Sequence, residues 1–143
     1  MDALDLIVNR ASVPPRLHEE ADLDDAALEQ ILASAVTAPD HGLLRPYRFI
    51  TIRGKARERL GDVFAEAARI RNPDAEPGTI EKDRQKPLRS PVVVAVIACI
   101  TPDHPKAPEI EQILTAGMAC YNMVLAAQAM GLGGIWLTGA PTY

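Results

Sequence analysis

Residues 109–139 have the sequence EIEQILTAGMACYNMVLAAQAMGLGGIWLTG, and this stretch decides the expected fold. Up to Met130 only Gly117 disfavours a helix, which would span roughly 33 Å at ~1.5 Å per residue. Apolar residues fall on nearly every face, a pattern typical of a helix buried in a core, between subunits or in a membrane. Gly131 is a usual helix-ending residue, and residues 135–137 predict the start of a strand. We therefore expect a buried central helix that leads through a glycine corner (residues 131–134) into a strand.

Polar residues argue against a membrane-spanning role for this helix. Two glutamates begin it, and four further polar side chains lie within it: Gln112, Thr115, Asn122 and Gln128. A membrane-spanning helix needs ~20 predominantly apolar residues without so many polar groups. We therefore expect the helix to be buried against protein, with no membrane as a partner.

The bulk composition suits a single globular domain covering residues 1–143. Hydrophobic residues make up 48% and charged residues 24%, which excludes wholesale disorder. The net charge of −4 gives no general attraction to nucleic acid or to anionic membranes. The N-terminus carries acids where a signal peptide would carry bases. Cys99 and Cys120 lie in apolar segments and form no CxxC pair, so we expect buried free thiols and a cytoplasmic location.

The rest of the chain predicts helices interspersed with strands. The predicted elements are a helix at 2–9, a helix capped by Asp22 or Asp24 that ends before Pro39, a strand at 48–53, helices at 56–70 and 80–85, and a strand at 92–100. The expected core side of the 56–70 helix is Leu60, Val63, Phe64 and Ala67. The run VVVAVIACI predicts a strand buried on both faces. This order indicates an α+β or α/β layered domain, whose small sheet must be completed by a partner subunit or by further chain.

No familiar catalytic or phosphate-binding pattern stands in its usual place. The glycine corner follows a helix, whereas a dinucleotide fingerprint precedes one, and the dipole at a helix C-terminus repels phosphate. A helix cap and a tight turn therefore explain the corner better. His18, His41 and His104 lack the spacing of a metal site, and the sequence has no GxSxG elbow. We expect His18 and His104 to be solvated, and we expect neither a bound metal nor a catalytic side chain.

Two residues stay open on pattern alone. His41 lies in a turn between a predicted helix and a predicted strand, where functional and solvated side chains both occur. Trp136 is the only tryptophan and follows a glycine pair that lets backbone or ligand approach closely, so it is either a core residue or a cofactor contact. The pattern therefore predicts an oligomeric α/β domain with two loops of interest.

Three segments, taken in order, resemble the nitroreductase family of flavin mononucleotide (FMN) proteins, in particular its short bacterial members. They are DALDLIVNRAS at 2–12, APDHGLLRPYRF at 38–49 and AAQAMGLGGIWLTGA at 126–140. The resemblance implies an α+β sandwich formed by an intertwined homodimer, with long central helices at the interface and two FMN molecules between the subunits. It also implies that relatives continue past Tyr143 into a C-terminal segment, with a further strand, a basic phosphate contact and an arm around the partner, which this chain is expected to lack.

The resemblance also assigns cofactor-binding residues. Arg10 and Ser12 would hold the FMN phosphate and ribityl chain, with Ala11 between them where close relatives often have arginine. A guanidinium fork suits a phosphate, and a hydroxyl adds a further donor. The turn residue that reaches the flavin corresponds to His41, with Thr37 just before it on the helix. The glycine corner would shape the cleft, and the flavin ring would be lined by Trp136, Leu137 and Thr138.

The implied activity is that of an FMN-dependent oxidoreductase. NAD(P)H would deliver hydride to the flavin, and a small electron-poor acceptor, such as a nitroaromatic or a quinone, would then remove it. Several positions depart from common family residues: Ala11, Leu43, Arg45, Tyr47 and Leu137. These departures keep open a truncated or degenerate member that dimerises but binds flavin weakly and is not catalytic. A third hypothesis keeps FMN and changes the chemistry to reductive dehalogenation or flavin breakdown.

Overall fold

The computed structural model describes residues 2–18 and 23–137. The helices are α1 (Ala3–Asn9), α2 (Asp25–Ala35), α3 (Ala56–Arg71), α4 (Pro77–Arg84) and α5 (Glu109–Ala129). The strands are β1 (Tyr47–Arg53) and β2 (Val92–Ala98), and short 3-10 turns lie at Pro15–Leu17, His41–Leu43 and Lys86–Arg89. The predicted order of helices and strands is confirmed as far as α5, with bounds that shift by a few residues.

Side-chain caps explain where the first two helices begin. Oδ1 of Asp2 accepts a hydrogen bond from the Asp5 amide at 2.8 Å, and Oδ1 of Asp24 accepts one from the Ala27 amide at 2.6 Å. Such acceptors satisfy amides that have no partner inside the helix. Of the two predicted caps for α2, Asp24 is therefore confirmed, and Asp22 lies outside the described residues.

The two strands form an antiparallel sheet, with Tyr47 opposite Ala98 and Arg53 opposite Val92. The prediction that β2 is buried on both faces is wrong for the described chain. Residues 92–97 are half-buried, and Ala98 is exposed. The reason is that successive side chains of a strand point to opposite faces, and only Val94 and Val96 of β2 pack on the main core cluster of the described residues.

The core lies where α2 packs against α5 and the sheet. Its buried members are Ile31, Ala35, Ala38, Ala119, Met123 and Ala127. Side chains of the sheet that pack on this cluster include Tyr47, Phe49, Val94 and Val96. Small side chains at a helix contact allow the two backbones to approach closely. The buried positions of α5 are therefore occupied more often by alanine than by the largest side chains of the helix.

Only one side of α5 is buried in the described chain, although its sequence is apolar on nearly every face. Five large residues on the other side are 36–61% exposed, and we call them the α5 face: Ile110, Ile113, Leu114, Met118 and Tyr121. A contiguous exposed apolar surface of this kind is typical of a contact with another protein. Within residues 2–18 and 23–137, no helix combines the length and the apolarity needed to cross a bilayer.

The predicted strand at 135–137 is wrong, because these residues have no regular secondary structure. The chain leaves α5 at Gly131, whose φ of +78° is the left-handed conformation that favours glycine at helix ends. The Gly134 carbonyl oxygen then accepts a hydrogen bond from the Val13 amide at 3.0 Å. The glycine corner therefore pairs with the N-terminal segment and not with the sheet.

The predicted core side of α3 is also wrong at Val63, which is 60% exposed. The helix buries Gly61 and Ala65 instead. A Cβ atom at Gly61 would overlap the carbonyl oxygen of Arg84 in α4. Because α3 and α4 lie this close together, small residues occupy inner positions that larger ones were expected to fill.

Candidate functional site

Arg10 lies where α1 ends, with φ −57° and ψ 127°, so the chain leaves the helix in an extended direction. Its guanidinium carbon lies 6.0 Å from the centre of the Tyr121 ring, within cation–π range. In the part of the chain that the structure describes, this guanidinium has no acidic partner. Its positive charge is therefore available to an anion.

Ser12 follows Arg10 by two residues in the irregular segment between α1 and the turn at Pro15–Leu17. Ser12 is exposed, and no residue among 2–18 and 23–137 makes a hydrogen bond with its hydroxyl. A free guanidinium and a free hydroxyl are donors that suit a phosphate. The residues present therefore fit the phosphate end of FMN.

Gln128 of α5 holds the backbone of this segment on either side of Arg10. Its Oε1 accepts a hydrogen bond from the Ala11 amide at 3.2 Å, and its Nε2 donates one to the Asn9 carbonyl oxygen at 3.3 Å. An open cleft of about 280 Å³ lies behind the segment and is lined by Ala11, Val13, Gln128, Gly131, Leu132 and Gly133. Ligand pockets usually enclose about 300–1,000 Å³, so this cleft alone is too small to enclose a cofactor of the size of FMN.

His41 occupies the turn after α2. Its Nδ1 lies 2.8 Å from Oε2 of Glu111, at the start of α5. Both side chains are about half exposed, so solvent screens this pair and it adds little stability. The Asp40 carboxylate fixes the turn by accepting hydrogen bonds from the Leu44 amide at 3.1 Å and the Arg45 amide at 2.8 Å. A second open cleft, of about 420 Å³, is lined by Pro39, Asp40, His41, Glu111, Leu114, Thr115 and Met118.

Thr37, which follows α2, contacts α5 at Asn122, between the helix positions that contact His41 and Ala11. Its hydroxyl donates to the Ser34 carbonyl oxygen at 2.8 Å and accepts a 3.3 Å hydrogen bond from Nδ2 of Asn122. Asn122 also donates to the Ser34 carbonyl oxygen at 3.1 Å. The hydroxyl therefore already has a donor and an acceptor inside the chain, which makes Thr37 a less available ligand than Ser12.

The residues predicted to line the flavin ring follow the glycine corner. Trp136 is 48% exposed and Leu137 is 58% exposed. The Trp136 ring lies over Gly117 of α5, where an added Cβ would come within 3.3 Å of its Cη2 atom. Thr138 lies outside the described residues. The Trp136 side chain is therefore not a core residue. It contacts α5 at Gly117, and about half of its surface is exposed to solvent.

A single chain does not bring all the predicted residues together. Ala11 contacts Gln128 near the end of α5, whereas His41 contacts Glu111 at its beginning. These two α5 residues are roughly 25 Å apart at ~1.5 Å per residue. The Arg10 guanidinium reaches back to Tyr121, which lies roughly 15 Å along α5 from Glu111 at the same rise per residue.

One sequence profile matches nearly the whole chain. It describes the nitroreductase family and covers residues 7–143. The chain belongs to the nitroreductase family. Proteins of this family are oxidoreductases, so this chain is an oxidoreductase of the nitroreductase type.

Relatives within the family are similar along most of their length. The Escherichia coli protein named "Putative NAD(P)H nitroreductase YdjA" is 40% identical over 142 residues, which are 99% of this chain and 75% of that protein. A Haemophilus influenzae protein named "Putative NAD(P)H nitroreductase" is 36% identical over 139 residues, covering 97% of this chain and 73% of the relative.

Solved nitroreductase-like structures share the fold. A nitroreductase-like family protein from Bacillus cereus matches with a TM-score of 0.78 at 24% identity, over 97% of this chain and 71% of that one. The structure of "a putative nitroreductase in complex with fmn" from Desulfovibrio desulfuricans has a TM-score of 0.69 at 25% identity, over 96% of this chain and 68% of that one. The predicted α+β, nitroreductase-like fold is confirmed, and the intertwined homodimer stays a prediction.

Sequence reasoning missed four side chains of this nitroreductase-family chain that contact the predicted residues. All four belong to α5: Glu111, Tyr121, Asn122 and Gln128. Gln128 and Glu111 are polar groups in a largely apolar helix, and a polar group that interrupts such a helix needs a partner. The sequence therefore indicates that these two polar residues have partners, but it does not identify which residues the partners are.

The other histidines and the cysteines contribute no metal site. His18 is not solvated as expected, because its Nδ1 lies 2.6 Å from Oγ of Ser90 and its Nε2 lies 3.0 Å from the Val13 carbonyl oxygen. Cys99 is exposed, which corrects its predicted burial, whereas Cys120 is half-buried. Burial raises the pKa of the Cys120 thiol to about 11. Among the described residues, no group of three or more potential ligands could hold a metal ion.

Proposed function

We propose that residues 1–143 form one FMN-binding domain of a homodimeric oxidoreductase, which passes hydride from NAD(P)H through the flavin to a small electron-poor acceptor. The observation that carries this proposal is that neither Arg10 nor Ser12 has an ionic or hydrogen-bond partner for its side chain among residues 2–18 and 23–137. The name of the Escherichia coli relative and the FMN in the Desulfovibrio desulfuricans structure support the same chemistry in this family member.

The N-terminal segment would bind the FMN phosphate. Arg10 offers a planar fork of N–H donors, and hydrogen bonds to charged groups contribute about 1.5–3 kcal/mol each. The exposed Ser12 hydroxyl, two residues further along the chain, would add a donor. The Ala11 amide is turned away towards Gln128, so Ala11 contributes no backbone donor to this phosphate.

The flavin, when bound, supplies the hydride chemistry, and the protein supplies position and a partly dry cleft. Trp136 and Leu137 would form an apolar wall for the ring, since both expose apolar surface beside the glycine corner. His41 and Thr37 would reach the ring end from the turn after α2. No side chain acts as an obligatory acid or base in this proposal.

The exposed α5 face supports a homodimer. Cyclic two-fold symmetry places the same surface patch of each subunit against the other. If two α5 faces met in antiparallel orientation, the end of one α5 would lie beside the beginning of its mate. Arg10 of one subunit and the turn at His41 of the other would then surround one flavin.

The exposed apolar surface of the described chain has the composition that such an interface needs. Besides the α5 face, α1 has no buried residue and exposes three apolar side chains by 55–70%: Leu4, Ile7 and Val8. A subunit interface of an obligate dimer is apolar and buries such surfaces. The free thiols of Cys99 and Cys120 suit a reducing compartment such as the cytoplasm.

The test is to reconstitute the purified protein with FMN and to record its visible spectrum after gel filtration. A retained flavin band, followed by oxidation of NADH or NADPH that requires a nitroaromatic or a quinone, is the expected result. A dimer that retains no flavin would identify the degenerate, non-catalytic member instead. Flavin retention without transfer to either acceptor would favour the dehalogenase or flavin-breakdown chemistry, which a substrate screen of the reduced protein would then test.

A further inference from the structure

The segment that carries Arg10 and Ser12 has little packing of its own to hold it in place. The preceding helix, α1, buries none of its residues. Behind the segment lies the open cleft of about 280 Å³ and not a packed core. Ala11, between the two donors, is itself exposed. Hydrogen bonds must therefore determine where these two side chains lie relative to the rest of the domain.

Gln128 supplies the two hydrogen bonds that flank Arg10. Its carboxamide accepts from the Ala11 amide at 3.2 Å and donates to the Asn9 carbonyl oxygen at 3.3 Å. The two bonds also fix the orientation of the carboxamide, because an amide N–H needs an acceptor and a carbonyl needs a donor. One side chain therefore holds the backbone immediately before and immediately after Arg10.

The position of Gln128 is in turn fixed by the core. Ala127, the preceding residue, is 9% exposed, and Met123, one turn earlier, is 7% exposed; both belong to the main core cluster. The Val13 amide, donating to the Gly134 carbonyl oxygen at 3.0 Å, ties down the far end of the segment. Because α5 is anchored in the core, the two hydrogen bonds of Gln128 restrain the segment that carries Arg10 and Ser12.

We propose that Gln128 is a positioning residue, whose carboxamide sets the place and direction of Arg10 and Ser12 for the FMN phosphate. This inference rests on the proposed function, because it assumes that the segment binds FMN. The Gln128 carboxamide is occupied by the backbone at Asn9 and Ala11, so its proposed role is to hold the two donors and not to bind the phosphate itself. Its effect is preorganisation: the two donors are held in place before the ligand arrives, which lowers the entropic cost of binding.

The test compares FMN with riboflavin, which lacks the phosphate, on the full chain. Gln128→Met keeps the length and the helix propensity of the side chain and removes both hydrogen bonds. We expect the Kd for FMN to rise about tenfold, as the loss of two neutral hydrogen bonds implies. The Kd for riboflavin should change less than about twofold, because riboflavin makes no use of the positioned donors. Flavin fluorescence titration measures both constants.

Gln30→Met is the matched control, since Gln30 is an exposed glutamine of α2 without a hydrogen-bond partner among the described residues. Its FMN-to-riboflavin ratio should equal that of the wild type. Amide hydrogen exchange in the flavin-free protein gives a second readout. Exchange should accelerate at Ala11 in Gln128→Met and stay unchanged within α2, whereas a general loss of stability would accelerate both.

The outcomes separate this inference from the proposed function. If wild-type protein binds FMN no better than riboflavin, the phosphate site proposed at Arg10 and Ser12 is wrong, and the inference is wrong with it. If the wild type prefers FMN and Gln128→Met keeps the same preference, the proposed function stands and the positioning role is overturned. Should Gln128→Met not fold, Gln128→Asn, which withdraws the same amide by one methylene, is judged by the same ratio.

Discussion

Arg10 owes its availability to the absence of an acidic neighbour in the described part of the chain, where its one side-chain contact is the Tyr121 ring. Structural arginines usually pair with a carboxylate, and such pairing would compete with any anionic ligand. A cation–π contact at an exposed site contributes about 0.5–1 kcal/mol and leaves the N–H donors free. The N–H donors of Arg10 can therefore bind an anion, and no salt bridge within the described residues makes this side chain necessary for folding.

Arg10→Met should weaken FMN binding about ten- to a hundredfold, because it removes charge-assisted hydrogen bonds of about 1.5–3 kcal/mol. The Kd for riboflavin and the urea midpoint should stay close to the wild-type values. Arg16→Met is the control, since Arg16 is exposed and has no bond to another described residue. Equal losses for FMN and riboflavin would contradict a phosphate-binding role.

Cys120 gives a pH-dependent prediction with a definite sign. Burial raises the pKa of its thiol from 9.0 to about 11, so the folded protein holds this proton more tightly than the unfolded chain does. The resulting contribution to stability is complete below pH 9 and is lost as the pH rises towards 11. The urea midpoint should therefore fall less between pH 8 and pH 10.5 in Cys120→Ala than in the wild type.

Cys99→Ala is the control for this comparison, because the Cys99 side chain is exposed. Its pH dependence should match that of the wild type. Thiol labelling offers an independent check: at pH 8 about one Cys120 in a thousand would be a thiolate, so iodoacetamide should modify Cys99 first. Labelling of Cys120 before Cys99 would contradict the assigned burial.

At the scale of elements, the contact between α3 and α4 depends on a glycine. Gly61→Ala would push a methyl group into the Arg84 carbonyl oxygen, and overpacking of this kind costs about 1–3 kcal/mol. Gly78→Ala, in α4, meets nothing within 4 Å and should stabilise the helix by up to about 1 kcal/mol. Urea unfolding measures both, and the prediction is wrong if both changes have the same sign.

The elements also differ in how well local sequence predicts them. The predicted helix at 109–130 is observed as Glu109–Ala129, and the predicted strand at 48–53 as Tyr47–Arg53, because propensity and caps act within a few residues. The strand predicted at 135–137 did not form, although its residues favour one. Strand formation needs a partner, and the corner makes its hydrogen bond to Val13 instead.

At the scale of the whole molecule, the α5 face is the surface through which the proposed dimer would form. Leu114→Glu places a charge at the centre of this face and should dissociate the dimer, since a buried unpaired charge is costly. Sedimentation velocity should then give the monomer mass, and flavin retention should fall with it. A glutamate placed at a similarly exposed position outside the α5 face should neither dissociate the dimer nor reduce flavin retention.

Val63→Glu is the matched control for this experiment. Val63 is 60% exposed on α3 and Leu114 is 55% exposed on α5, so both changes add one charge to a similarly exposed apolar helix position. Val63→Glu should remain a dimer with flavin bound. A dimer that survives Leu114→Glu, or that dissociates equally in both variants, would exclude the α5 face as the interface.

The resemblance of three short segments to one family predicts Arg10, Ser12 and His41 as residues of the candidate site. It does not predict how far apart they lie, because that depends on which parts of α5 the N-terminal segment and the turn after α2 contact. The role of Gln128 was hidden for the same reason, since Asn9 and Ala11 are distant from it in sequence.

The sequence by itself determined that residues 109–129 form a long helix ended by Gly131, that α2 begins at Asp22 or Asp24, and which family the chain resembles. Those features depend on propensities, caps and motifs that act over a few residues. Only the tertiary structure decided which side of α5 is buried, that the glycine corner pairs with Val13, and that Arg10 and His41 contact different residues of that helix, Tyr121 and Glu111. These depend on contacts between residues far apart along the chain, whose geometry no local pattern encodes.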